Sequence, residues 1–187
     1  MELSLEQWLV IGICAVLIIG YIYGYYYNRQ YAGRIMLWLR TGLGTYGDVT
    51  SGEKLPGLVT GGQLIVKNSA SPFQRIEAIY LLAPRDNPFF MLFHLIQNRG
   101  DELILRITLP RAPRIRREAK RNWKFKYTFD SPETEARWDG FLKRYGLTIS
   151  HLAIKREAPH IFVRVYLKGL MANPANDFIS SINELAE

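Results

Sequence analysis

The sequence predicts an α+β protein, in which an N-terminal transmembrane helix precedes one mixed, mainly antiparallel sheet domain with three to four helices. An uncharged apolar segment occupies residues 8–27. Short runs of alternating apolar and polar residues follow, and capped helical runs interrupt them without the regular alternation of a doubly wound sheet. The chain has 187 residues, enough for one domain with its own core once the apolar segment is set aside.

The apolar segment 8–27 reads WLVIGICAVLIIGYIYGYYY and carries no charge. As a helix it spans about 30 Å, the thickness of the hydrocarbon core of a bilayer. Trp8 at one end and tyrosines at the other match interfacial belts. A signal peptide is the alternative, but no basic region precedes the segment and no small-residue cleavage site follows it. We therefore predict a transmembrane helix behind a short extracytoplasmic tail, residues 1–7.

Charge is distributed unevenly along the chain. The whole sequence contains 24 Lys and Arg against 17 Asp and Glu, yet no basic residue precedes Arg29. The positive-inside bias predicts a single-pass protein of the cell membrane, with its N-terminus outside and its C-terminal domain in the cytoplasm. A domain this basic is expected to bind polyanions or an anionic surface.

Residues 28–42 predict a juxtamembrane amphipathic helix, and residues 43–187 a cytoplasmic α+β domain. Ile35, Trp38 and Leu39 share one face of that helix. The helix could lie on the membrane or cap the domain core, and we favour the core. A Gly-, Ser- and Thr-rich loop is expected over 43–62.

Within the domain, period-2 patterns predict strands and capping residues predict helices. Asn87 and Gly100 bound one helix, and Ser131, Pro132 and Gly146 bound another. Asp86 and Asp101, which flank the first of these helices, are interpreted as capping residues. The predicted strands are 62–68, 74–83, 101–110, 122–129, 147–157 and 160–169; the predicted helices are 87–99, 131–146 and a last one from about Asn173–Pro174.

Signals for catalysis or cofactor binding are weak. Residues 42–47 match G-x-G-x-x-G, but a predicted helix precedes them and a predicted loop follows. A dinucleotide site needs a strand before the motif and a helix after it. His94, His151 and His160 lie on separate elements, and the single cysteine, Cys14, lies in the apolar segment. We expect no metal, no cofactor, no small-molecule substrate and no enzymatic activity.

The stretch 110–127, PRAPRIRREAKRNWKFKY, has eight Lys or Arg and one acid, Glu118. Lipid headgroups, nucleic acid and water alone are all suitable partners. Pro110 and Pro113 should end the preceding strand, so that 111–121 forms a protruding connection, and its distance in sequence from the span disfavours lipid. The candidate RNA- or polyanion-binding residues are Arg111, Arg114, Arg116, Arg117, Lys120, Arg121, Lys124 and Lys126.

The predicted helix 87–99 is more apolar than one buried stripe requires. Phe89, Phe90 and Phe93 are therefore candidate partner-docking residues. We expect Leu92 to be buried and at least one of the three aromatic side chains to remain partly exposed.

The order of elements resembles the membrane-proximal core of the calumin family, the coiled-coil-domain subunit of the PAT complex. The segment LLAPRDNPFFMLFHLIQNRGDELILRITLP carries the resemblance. Arg85 and Asp86 match the family's basic-then-Asp turn, Leu92 and Leu95 its hydrophobic helix, and 103–109 the following strand. The likeness covers residues 9–185 in order and spacing more than in identity.

The resemblance implies a non-enzymatic membrane-protein insertion or biogenesis factor at the translocation channel, with ribosomal RNA as a further partner. The family's long acidic lumenal part, signal peptide and charged coiled-coil tail have no counterpart here, which weakens the case for ribosome contact and suggests a prokaryotic relative. The alternative is a membrane-anchored scaffold whose basic face binds anionic lipid or another membrane protein.

Overall fold

The computed structural model describes residues 4–52, 61–67, 72–87, 90–91, 100–114, 116–122, 126–146 and 148–186. Over these residues the chain forms one eight-stranded antiparallel sheet and four helices. The predicted α+β class, with a long apolar helix at the N-terminus, is confirmed.

The first helix, α1, runs without a break from Leu5 to Leu43 and includes both the apolar segment and the juxtamembrane segment. Ser4 caps it, since its Oγ accepts a hydrogen bond from the backbone N–H of Gln7. Its 39 residues give a rod of about 58 Å. Among the described residues it is the one helix that is long and apolar enough to cross a membrane.

The strands lie in the order β1-β2-β3-β4-β8-β7-β5-β6, and every neighbouring pair is antiparallel. Between β4 and β5 the chain crosses to the far side of β7, and the β7–β8 hairpin later fills the gap. The bounds are β1 Asp48–Ser51, β2 Gly61–Lys67, β3 Arg75–Leu81, β4 Glu102–Thr108, β5 Arg117–Arg121, β6 Tyr127–Phe129, β7 Ile149–Ile154 and β8 Ile161–Tyr166.

Two strands lie where the sequence predicts none. β1 falls in the expected loop 43–62, and β5 falls in the expected protruding connection 111–121, which therefore ends at residue 116. β5 carries one buried apolar residue, Ala119, among charged neighbours, and its backbone pairs with β7. That pairing is non-local, so the periodicity of the segment gives no sign of it.

Other predictions are confirmed in part. Only Tyr127–Phe129 of the expected strand 122–129 forms a described strand, while Lys124 and its two neighbours lie outside the described residues. Of the expected helix 87–99 the structure describes Asn87, Phe90 and Met91, and the latter two are helical. Leu92 lies outside the described residues.

Three further helices complete the chain: α2 Pro132–Tyr145 between β6 and β7, and α3 Leu167–Leu170 and α4 Ala175–Ala186 after β8. Ser131 caps α2 and Pro132 occupies its first turn, as the sequence predicts. Buried side chains of α1, α2 and α4 form a single core with one face of the sheet. Ile35 and Leu39 of α1 belong to this core, which supports the core-capping interpretation of the juxtamembrane segment.

The glycine pattern 42–47 has a packing role. A Cβ at Gly42 would lie 2.3 Å from the Cβ of Ala175, so only glycine lets α1 approach the start of α4 this closely. Nearby, the indole N–H of Trp38 donates to the carbonyl of Asn173 at 2.8 Å. These contacts hold the end of α1 against α4.

The central strands have two distinct ends. At one, which we call the anchor end, Glu102 pairs with Leu81 and Tyr166. There Asn28 of α1 donates its side-chain amide to the carbonyl of Ala83 at 3.0 Å. At the opposite, far end lie the loop 109–116 and the β7–β8 turn, 155–160. The length of β4 separates the two ends by about 20 Å.

Candidate polyanion-binding surface

The loop 109–116 is held in place by the β7–β8 turn. The backbone N–H of Leu109 donates to Nδ1 of His160 at 2.9 Å. The guanidinium of Arg156 donates from Nε and Nη2 to the carbonyl of Arg114, at 3.1 and 2.8 Å. These bonds occupy backbone groups and leave the arginine side chains of the loop in solvent.

Five cations therefore collect at the far end and form what we call the far-end cluster: Arg111, Arg114, Arg116, Lys155 and Arg156. All five are exposed, and a shallow cavity of about 480 Å³ opens between Arg116, Lys155 and Arg156. Glu157 is the one acid lining it. Several cations around an open groove suit a phosphate backbone, which needs charge rather than a closed pocket.

Lys155 and Arg156 are absent from the residues that the sequence predicts for this site. They lie within the predicted strand 147–157, about forty residues beyond the loop. The antiparallel register joins the two segments, since Arg117 pairs with Ile154. Correct placement of β5 beside β7 is the only signal that could have found them.

Glu118 moderates the charge at the start of β5. Its Oε1 lies 2.9 Å from Nε2 of His151, and its Oε2 lies 3.4 Å from Nη2 of Arg116. The hydrogen bond from His151, opposed by partial burial and aided by the one from Arg116, lowers the pKa of Glu118. The carboxylate therefore stays charged and keeps Arg116 at the edge of the cluster.

The other predicted basic residues are dispersed along the sheet. Arg117 is half-buried, and Lys120 and Lys126 are exposed. Arg121 has a structural role: it donates to the carbonyl of Gly146 at 3.2 Å and stacks over the ring of Tyr166. The eight predicted residues thus do not form one surface, because β5 extends away from the far end.

The predicted docking aromatics can be judged at one position. Phe90 is 56% exposed, which confirms the expectation that at least one of the three aromatic side chains stays partly in solvent. Phe89 and Phe93 lie outside the described residues. Docking of a partner on Phe90 stays a prediction.

A second polar constellation, which we call the anchor clamp, joins α1 to the domain and consists of Asn28, Arg85 and Asp101. Arg85 donates from Nη1 and Nη2 to the two carboxylate oxygens of Asp101, at 2.9 and 2.6 Å, and from Nη1 to Oδ1 of Asn28 at 2.9 Å. The same carboxylate accepts the backbone N–H of Ala83 at 2.9 Å. The clamp therefore satisfies its polar groups internally, and Asp101 has a role that the capping interpretation missed.

Aromatic and steric contacts reinforce the anchor clamp. The guanidinium of Arg85 lies over the rings of Tyr27 and Tyr31, at 5.0 and 5.8 Å. Burial alone lowers the pKa of Arg85, but the hydrogen bond and negative charge of Asp101 raise it overall. A Cβ at Gly24 would lie 1.9 Å from the carbonyl oxygen of Arg85, so Gly24 is the residue that lets the loop seat on α1.

No protein-family model matches this sequence, and no curated protein matches it at a significant level. The resemblance to the calumin family accordingly rests on the order of elements and stays a prediction. Among the described residues, no group of three His, Cys, Asp or Glu side chains could hold a metal ion.

Proposed function

We propose that this chain is a non-enzymatic, membrane-anchored polyanion-binding protein, which docks the phosphate backbone of ribosomal RNA on its far-end cluster. The observation that carries the proposal is the convergence of five exposed cations at the end of the sheet remote from α1. Its biological setting would be membrane-protein biogenesis beside the translocation channel, as the calumin resemblance suggests.

The position of the cluster favours a soluble polyanion over lipid. The anchor end meets α1 at Gly24 and Asn28, where the apolar segment ends. The far end lies about 20 Å beyond it along the strands. Electrostatic attraction to a membrane surface decays over about 8–10 Å at physiological salt. The far-end cluster would therefore act on partners in the cytoplasm, in the orientation that the positive-inside bias predicts.

The proposal is tested by charge removal. A variant with Arg111, Arg114, Arg116 and Lys155 replaced by Gln keeps Arg156, which positions the loop. The affinity of the full chain in phosphatidylcholine nanodiscs for ribosomes is measured at salt concentrations from about 50 to about 200 mM. The slope of log K against log salt is negative, and loss of four phosphate contacts should make it less steep by about 3. Folding should be retained, since exposed substitutions shift stability by about 0.5 kcal/mol or less.

A matched control removes the same charge elsewhere. Arg137, Lys143, Arg144 and Lys168 are exposed on α2 and α3, and their replacement by Gln gives an equal change in net charge. Ribosome affinity should change little in this control. An equal loss of ribosome affinity in both variants would mean that binding depends on net charge and not on a site at the far end. If neither variant loses affinity, the far-end cluster contacts only solvent and the proposal is refuted.

The setting at the channel is tested separately. Membranes are solubilised gently, and the tagged full chain is recovered with and without ribosomes. Enrichment of the channel with the native chain, together with its reduction in the far-end variant, supports the setting. Salt-sensitive ribosome binding without channel enrichment would retain polyanion binding and reject the setting.

The alternative function, a scaffold that holds anionic lipid or another membrane protein, is favoured by one observation. Lys126 and Phe90 are exposed and belong to the anchor end of the molecule. Vesicles containing anionic lipid should then bind the native chain and lose binding in Lys126→Gln, while the far-end variant retains it. Loss of vesicle binding in the far-end variant, with binding retained in Lys126→Gln, would assign lipid binding to the far-end cluster and contradict the RNA proposal.

A further inference from the structure

A cavity of about 360 Å³ lies at the anchor end between α1 and the loop 82–87. Tyr21, Tyr25 and Arg29 line it from α1, where their spacing of four residues places them along one helical face. Asp86 and Gly61 line it from the domain. The cavity thus combines an aromatic wall, one cation and one carboxylate.

Along α1, this cavity lies level with the end of the apolar segment. From Leu5 to Gly24, α1 rises about 30 Å, the thickness of the hydrocarbon core. Tyr21 and Tyr25, which stack with centroids 6.3 Å apart, come at the end of that rise. Tyrosines prefer the headgroup level of a bilayer, so the opening faces lipid headgroups.

The carboxylate of Asp86 has an unmet requirement. Its Oδ1 is buried and has no hydrogen-bond partner among the residues that the structure describes. A buried acceptor without a donor is costly, and a charged donor is the best partner for a carboxylate. On α1, the exposed guanidinium of Arg29 offers the complementary group for a phosphate.

We propose that this cavity binds the headgroup of phosphatidylethanolamine. Arg29 binds the phosphate, and the primary ammonium donates to the carboxylate of Asp86, which lines the cavity opposite the tyrosines. Phosphatidylcholine has the same charges but its trimethylammonium has no N–H to donate. Phosphatidylglycerol has no cation to pair with Asp86. The inference depends on α1 spanning a membrane and is independent of RNA binding at the far end.

The test measures lipid selectivity by native mass spectrometry of the full chain released from a neutral detergent. Equimolar phosphatidylethanolamine, phosphatidylcholine and phosphatidylglycerol are supplied together. The native chain should bind phosphatidylethanolamine about tenfold more strongly than phosphatidylcholine, the factor expected for one charge-assisted hydrogen bond. Equal binding of the three lipids overturns the proposal. Displacement by an equal concentration of soluble glycerophosphoethanolamine would assign the site to a free headgroup compound and overturn its lipid part.

Variants divide the site into its two halves. Asp86→Asn should reduce the binding of phosphatidylethanolamine to the level of phosphatidylcholine, because the charged acceptor is lost. Arg29→Gln should weaken both lipids alike, because both carry the phosphate. Arg34→Gln, on an exposed arginine farther along α1, is the matched control and should change neither. An unchanged preference in a folded Asp86→Asn chain refutes the assignment. Should that variant fail to fold, an Arg29→Gln chain with native lipid affinity refutes it as well.

Discussion

Replacement of Asp101 by Ala should destabilise the domain strongly, because it removes the acceptor at the centre of the anchor clamp. The side chain of Asp101 is 9% exposed and that of Arg85 is 23% exposed. Loss of one partner from a buried ion pair costs about 3–5 kcal/mol. Arg85 keeps its bond to Asn28, which reduces the cost, whereas the N–H of Ala83 loses its acceptor, which adds to it. We expect a net loss of about 3 kcal/mol from the free energy of unfolding.

Chemical denaturation of the full chain in detergent measures this loss, with the fluorescence of the tryptophans as the signal. The matched control is Asp139→Ala on α2, which breaks the ion pair to Lys143. The side chain of Asp139 is 55% exposed and that of Lys143 is 75% exposed. An exposed pair of this spacing contributes about 0.3–0.5 kcal/mol. Equal losses in the two variants would refute the argument that the clamp is a buried, stabilising pair. The combination Asp101→Leu with Arg85→Met should recover part of the stability, because no uncompensated charge remains.

Three further changes give distinct outcomes. Gly24→Val should separate the loop of the anchor clamp from α1, which limited proteolysis would detect as faster cleavage, and Gly33→Val, on an open part of α1 surface, should not. His160→Ala should cost about 1–3 kcal/mol in thermal unfolding, because the backbone N–H of Leu109 loses its acceptor. Because the pKa of Glu118 is lowered in the folded chain, its contribution is present above the ordinary value of 4.5 and is lost as the pH falls through the lowered value. Glu118→Gln should therefore make the free energy of unfolding less sensitive to acid below about pH 4.5. If its fall below that pH is the same in the variant as in the native chain, this role of Glu118 is contradicted.

The elements that the sequence predicts correctly are those with local signals. The helix α2 begins at Pro132 after Ser131 because a capping hydroxyl and a proline fix its start without help from the rest of the chain. The β7–β8 hairpin is similarly visible in its alternating apolar residues. β5 is invisible because one buried alanine gives no period, and its strand conformation comes from hydrogen bonds to β7.

The residues of the candidate sites also divide into those with a local sequence signal and those placed by long-range contacts. Arg111, Arg114 and Arg116 are recognisable in the sequence because they are close together and lie near prolines that end a strand. Lys155 and Arg156 join them only through the sheet register. Asp101 pairs with Arg85 sixteen positions earlier, and its partner Asn28 comes from α1, so its function depends on two long-range contacts.

Because α1 passes without interruption from its apolar half into the core, the domain must follow any tilt that the helix adopts when it spans a bilayer as proposed. The segment from Gly24 to Leu43 acts as a lever of about 29 Å. A change in tilt of about 10°, well within the range by which single helices adapt to bilayer thickness, displaces the end of that lever sideways by about 5 Å. Under the proposed membrane anchoring, the reach of the domain toward a large partner is thus coupled mechanically to the thickness of the bilayer.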